Sequence, residues 1–157
     1  MNKKEIIKLV ANMKSEIGEN HIKDILDSND KSNNNKKIGT SQFVELANLC
    51  SNNDIQCYDE IELLVKYNTA KDYEKSKNEK GKNEKPKNEK EKNKKGQSWA
   101  YVCKNNQKFG DIVVAKMNEI RNANNKDDES TLKDLSLFFG YLFWQSKIWI
   151  MEANEHN

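Results

Sequence analysis

Apolar residues recur along this chain mainly at intervals of three and four, the repeat of helices that bury one face. Between Lys3 and Ile17, the residues Ile6, Val10, Met13 and Ile17 form one stripe with Leu9 beside it, and Gly18 stands where such a helix ends or bends. "HIKDIL" (21–26) adds a short amphipathic turn. From Asp27 to Gly39 the periodicity stops, and the density of Asn, Ser and Asp is loop chemistry. Thr40 or Ser41 is placed to cap a second helix whose apolar side is Phe43, Val44, Leu46, Ala47 and Cys50. A turn at Ser51–Asp54 precedes a third helix. It turns Tyr58, Ile61, Leu64, Val65 and Asn68 inward, pairs Glu62 with Lys66 outside, and is expected to stop near Lys71. Trp99, Val102, Cys103, Phe109, Val113, Met117 and Ile120 keep a near-helical spacing, with room for a break at Gln107–Gly110. Asp127, Asp128 and Glu129 then stand where a helix start favours negative charge and introduce the last helix. The pattern predicts an all-α fold, a compact bundle of about five helices with no clear strand, in a single domain over 1–157.

The last helix carries two apolar stripes. Leu132, Leu135, Phe139, Leu142 and Trp149 fall on one side; Leu137, Tyr141, Trp144, Ile148 and Met151 fall on roughly the opposite one. A helix with two apolar faces must be covered twice. Either the other helices surround it, or the second stripe is a partner interface.

Between Lys75 and Gly96 the pattern gives way to three copies of a pentamer xKNEK, starting at Ser76, Gly81 and Pro86, with a degenerate fourth, "EKNKK". A five-residue period steps about 140° around a helix and gathers no apolar face, so 75–96 reads as a disordered low-complexity insertion loop. Residues 75–95 hold ten Lys against four Glu, which leaves 17 basic and 21 acidic residues in the rest of a chain whose formal net charge is +2. The foldable part is therefore mildly acidic, and any nucleic-acid binding by it must come from a local patch. The interspersed Glu residues favour a tolerated loop expansion over a polybasic nucleic-acid arm. Arg121 is the single arginine, so phosphate contacts would be lysine point charges rather than bidentate forks.

Catalytic and metal chemistry find little support. Cys50, Cys57 and Cys103 form no CxxC pair and, without a secretory leader at the start of the chain, read as reduced thiols of a cytoplasmic protein. His21 has no evident nucleophile or carboxylate partner at catalytic spacing, and His156 is the penultimate residue. The six glycines are isolated, and Gly39-Thr40-Ser41 lacks a P-loop lysine. Leu135–Met151, the most apolar segment, contains Ser136, Gln145, Ser146 and Lys147 and is too short and polar to span a membrane. No catalytic residue, metal site or cofactor is expected.

Three pieces in order, "IGTSQFVELANLC" (38–50), "IELLVKYNTAK" (61–71) and "MNEIRNANNKDDESTLKDLSLFFGYLFWQSK" (117–147), together resemble the small all-helical subunit of type III-A, or Csm-type, CRISPR effector complexes. Thr40, Ser41 and Gln42 match that family's capped helix start. Tyr67, Ala70 and Lys71 approximate a Tyr-x-x-Gly-Arg ending, and Phe138, Phe139, Phe143 and Lys147 fit its last helix. The chain departs from the family at Val44 and Glu45, where a basic residue is usual, at Lys71 in place of arginine, and at Gly140 and Trp144-Gln145-Ser146. The resemblance implies a non-catalytic subunit in antiviral defence. Such a subunit stacks with copies of itself, contacts backbone and large subunits, and lines the path of guide and target RNA. The lysines and polar residues then expected at RNA are Lys36, Lys37, Gln42, Lys66, Lys71, Arg121 and Lys147. Two other classes stay open: a helical homo-oligomeric adaptor with protein contacts only, through Leu137, Tyr141, Trp144, Ile148 and Met151, and a small enzyme or inhibitor built around His21.

Overall fold

The computed structural model describes residues 1–28, 36–82 and 96–155. Among them the fold is all-α, with six helices: α1 (Lys3–Ile17), the single turn α2 (Ile22–Ile25), α3 (Ser41–Ser51), α4 (Tyr58–Lys82), α5 (Phe109–Ala123) and α6 (Asp128–Glu155).

α1 occupies the span its periodicity predicts, and its ends show why. The Asn2 side chain accepts the Glu5 N–H at 2.8 Å while Glu5 accepts the Asn2 N–H at 3.2 Å, a reciprocal cap. At the other end Gly18 takes φ +92°, where an added Cβ would lie 2.9 Å from the His21 ring. α1 runs parallel to α6. The Met1 amino group meets Asp134 at 3.2 Å, and Lys14 meets Glu152 at 3.1 Å. Its buried face, Ile6, Leu9, Val10, Met13 and Ile17, closes one side of the core.

α6 is the element on which most of the others pack. Leu132, Leu135, Phe139, Leu142 and Trp149 are all buried, and α3 lies against a neighbouring flank, where the Ser136 hydroxyl donates to the Ala47 carbonyl at 3.0 Å. Phe43 of α3, Phe109 of α5 and Trp99 form an aromatic triangle, with ring centroids 5.5 to 6.3 Å apart, that joins α3 and α5 to the segment before α5.

Several expectations change. The chain between 26 and 39 is not all loop. β1 (Leu26–Asp27) pairs in parallel with β2 (Ile38–Gly39), Leu26 opposite Ile38, and both of these side chains are buried. α4 does not stop near Lys71 but continues through Lys82. Helix nucleation is the costly step, and once Tyr58–Lys71 is helical, Lys and Glu extend the helix at little further expense. Asp72 is buried, and Tyr73 lies under the ammonium groups of Lys77 and Lys108, 4.9 and 5.4 Å from the ring centroid. The pentamer insertion therefore begins as helix, and its remainder, 83–95, lies outside the described residues.

The near-helical spacing from Trp99 to Phe109 does not make a helix either. A short 3-10 turn at Ser98–Ala100 precedes a single antiparallel bridge between Val102 and Lys108, which closes a loop holding a second turn at Lys104–Asn106. Asn105 and Asn106 sit at φ +65° and +63°, a conformation that asparagine adopts more readily than most residues. Continuous helix begins only at Phe109. At the inner side of α4, Asn68 is half-buried while Thr69 and Asp72 take the buried places.

Candidate nucleic-acid groove and exposed helix face

β2 leads directly into α3, so the start of α3 is pinned at the level of the middle of α4, and a groove of about 550 Å³ opens between the two helices. Leu46 and Leu49 of α3 and Leu64 of α4 form its apolar wall, and Ser98 and Trp99 close one end. Lys37 enters from the chain before β2; Lys71 and Lys75 enter from successive turns of α4. Glu45 and Asp72 are the acids of the same groove, so the cations outnumber them by one.

Trp99 ties the groove together. Its indole N–H donates to the Gln42 side-chain oxygen at 3.2 Å, and its backbone N–H donates to Asp72 at 3.2 Å. Gln42 thus keeps its NH₂ group as the donor to offer a ligand. Burial pushes the Asp72 carboxyl above its ordinary range, while the Trp99 N–H and the charges of Lys71 and Lys75 pull the other way. At the rim the Lys71 ammonium lies 5.7 Å from the centroid of Tyr67, which is 59% exposed. An exposed ring beside a groove lysine is a combination that suits unpaired bases and phosphates.

Of the residues expected at RNA, the structure gathers Lys37, Gln42 and Lys71 in this groove and places Lys36, an exposed neighbour of Lys37, beside its entrance, where the Lys36 carbonyl accepts the Ser98 N–H at 3.0 Å. The others stand apart. Lys66 projects about 140° around α4 from Lys71 and is paired with Glu62 at 2.6 Å. Arg121 of α5 lies 3.6 Å from Asp59 and stacks 4.7 Å over the Tyr58 ring. Lys147 of α6 sits 5.2 Å over Phe143. Lys75 was hidden by its place in the pentamer run; continuing the α4 spacing from Lys71 to i+4 finds it. Thr40 occupies the cap position of α3 but has helical φ −59° and ψ −26°, and its side chain makes no cap hydrogen bond. The hydroxyl is buried and unpartnered, because β2 draws the residue into the core.

The second stripe of α6 faces outward and is not enclosed by the other helices. Trp144, Ile148 and Met151 are 64%, 43% and 52% exposed, with Leu137 and Tyr141 half-buried and the Tyr141 and Trp144 rings 5.8 Å apart.

His21 has partners that its sequence neighbourhood did not reveal. Its Nδ1 lies 2.8 Å from the Tyr101 hydroxyl, which donates to Asp24 at 2.9 Å. Burial and the Asp24 carboxylate push the Tyr101 phenol up, so it stays a neutral donor, and the trio ties the α2 turn to the segment before α5. The Cys50 thiol is buried and pushed up to about 12, which makes it unreactive. Among the described residues no three His, Cys, Asp or Glu side chains gather as metal ligands, and no helix is long and apolar enough to cross a membrane. Compared with protein-family models, curated proteins and solved structures, the chain matches none.

Proposed function

We propose that this chain is a non-catalytic small subunit of a type III CRISPR ribonucleoprotein effector complex. It acts in the cytoplasm and touches target RNA along the guide-target path through the α3/α4 groove. It contacts backbone and large subunits, and copies of itself through the outer face of α6. One observation carries the reading: Gln42 and Lys71, drawn from two separate pieces of the resemblance, line a single groove with Lys37, which stands just before the first piece, and are joined there by Lys75. A chain that is mildly acidic outside its insertion needs a local cluster of lysines of this kind to hold phosphates. Ammonium groups fix register on a backbone without reading bases, which suits a subunit that must accept any target sequence.

The test is binding of a labelled unpaired RNA oligonucleotide across a salt series. Each lost phosphate contact reduces the slope of log affinity against log salt by about 0.7 for a single strand. Lys37→Glu and Lys71→Glu are expected to weaken binding and flatten that slope, while Lys66→Glu and Lys147→Glu leave both unchanged. Equal effects from all four would remove the groove from the proposal. A full-length tagged chain that copurifies from its host without short RNAs or larger subunits would refute the effector-complex role.

A second reading has its own observation. The exposed Trp144, Ile148 and Met151 are the residues an adaptor with protein contacts alone would use, and that reading predicts no salt-sensitive RNA binding at all.

A further inference from the structure

The outer face of α6 has an internal symmetry that identifies what it fits. We infer that this face packs against the same face of a second copy, antiparallel, about a two-fold axis at Trp144. The inference rests on reading the stripe as a contact between copies, and adds its partner face, direction and register.

In an antiparallel pair centred on residue 144, each position meets the one equally far on the other side of the centre. Leu137 then meets Met151, apolar on apolar. Lys133 meets Glu155, opposite charges that are both exposed and make no ion pair with each other or with other described residues. Trp144, the most exposed residue of the stripe at 64%, meets itself. A further pair joins Gly140 to Ile148. Gly140 lies deep inside α6, where glycine destabilises a helix relative to alanine, yet among the described residues a Cβ added there would find no atom within 4 Å beyond the adjoining backbone of α6. Nothing among the described residues fills the gap. A partner's Ile148, 43% exposed, supplies the side chain that would fill it.

All these positions lie within an arc of about 120° on α6. A parallel pair would instead set Lys133 against Lys133 and Glu155 against Glu155. A head-to-tail stack would use two different faces and leave the symmetry without purpose. Isologous antiparallel pairing is the arrangement in which these charges, the central ring and the gap find a complement.

Sedimentation equilibrium of the full chain is expected to give twice the 18.3 kDa chain mass, with dissociation on dilution. Trp144→Cys in a Cys57→Ser background, oxidised with diamide, is expected to give a covalent dimer through position 144, because helix axes 8–10 Å apart bring Cα atoms at the axis within about disulfide reach. Gly140→Leu should leave the monomer folded with an unchanged or higher melting temperature, yet weaken dimerisation at least about tenfold by filling the gap. Lys133→Glu should also weaken it, and adding Glu155→Lys should restore it. A monomer at every concentration would overturn both the pairing and the contact between copies, leaving the groove to be judged by RNA binding alone. A dimer that forms no link through 144 and shows no charge-swap rescue would overturn the register while sparing the broader contact.

Discussion

Thr40 is where the reading from sequence and the folded chain predict opposite outcomes. A threonine before Ser41 reads as a helix cap, and loss of a cap hydroxyl costs about 0.5–2 kcal/mol. In the fold, Thr40 is fully buried with helical φ and ψ, its N–H donates to the Asp27 carbonyl at 3.0 Å, and its hydroxyl has no partner. Thr40→Val keeps the branched shape, preserves the backbone bond and replaces an unpaired hydroxyl with a methyl. A buried unpaired polar group costs about 1–3 kcal/mol. Relief of the lower part of that range, about 1 kcal/mol, raises the melting temperature by about 2–4 °C in a chain of this size. Thr40→Asp sharpens the contrast, because aspartate is a better cap than threonine but would bury an unpaired carboxylate here. It is expected to lower the melting temperature by at least about 5 °C. Helical circular dichroism through thermal and urea melts provides the readout, with unchanged urea slopes as the check that only stability has moved. If Thr40→Val loses about 1 kcal/mol or more while Thr40→Asp is neutral or better, the hydroxyl is capping α3 and the burial argument fails.

Three further outcomes follow from individual contacts. Burial raises the Asp72 carboxyl above its ordinary value of 3.8, so the unfolded chain releases that proton first, and stability falls as pH rises from the unfolded to the folded value. Asp72→Asn should therefore be more stable than the parent near neutral pH, with the gap closing below pH 3.8, and should bind RNA more tightly; urea midpoints against pH and the salt-series binding assay check both. Phe139→Ala removes a fully buried ring that stacks edge-on with Phe138 at 5.2 Å, and is expected to cost about 3–5 kcal/mol in urea unfolding, whereas Trp144→Ala on the exposed face should cost the monomer less than about 1. Gly110→Ala would drive a Cβ into the Thr69 hydroxyl, which is held by its bond to the Val65 carbonyl at 3.0 Å. A loss of about 1–3 kcal/mol is expected, partly recovered in a Gly110→Ala/Thr69→Ala double variant, since the two positions share one contact.

The candidate groove was half legible in the chain. Gln42 and Lys71 belonged to motifs, and Lys37 stood just before the first of them, but nothing local joined them, because the groove exists only where β2 sets α3 against α4. Lys75 and Trp99 were missed as groove residues for different reasons. Lys75 looked like part of a repeat too polar to fold. Trp99 looked like a helix residue, although its indole and backbone N–H groups act as cross-ties between Gln42 and Asp72.

Helix type, the limits of α1 and the buried stripe of α6 could be read directly from periodicity, because a helix that buries one face writes its 3.6-residue repeat into the positions of its apolar side chains. Periodicity is silent on what a stripe meets. It could not say whether Trp144, Ile148 and Met151 were enclosed or exposed, since both cases require the same residues on α6 and differ only in where α1, α3 and α5 come to rest. It overstated Trp99–Phe109, where apolar side chains at helical intervals reach the core from turns and a bridge. It understated α4, where a polar run remains helical because the preceding turns had already met the entropic cost of starting one. Local spacing encodes which face of an element is apolar; which neighbour covers that face, and which polar groups are thereby drawn inside, depends on contacts between residues far apart in the chain.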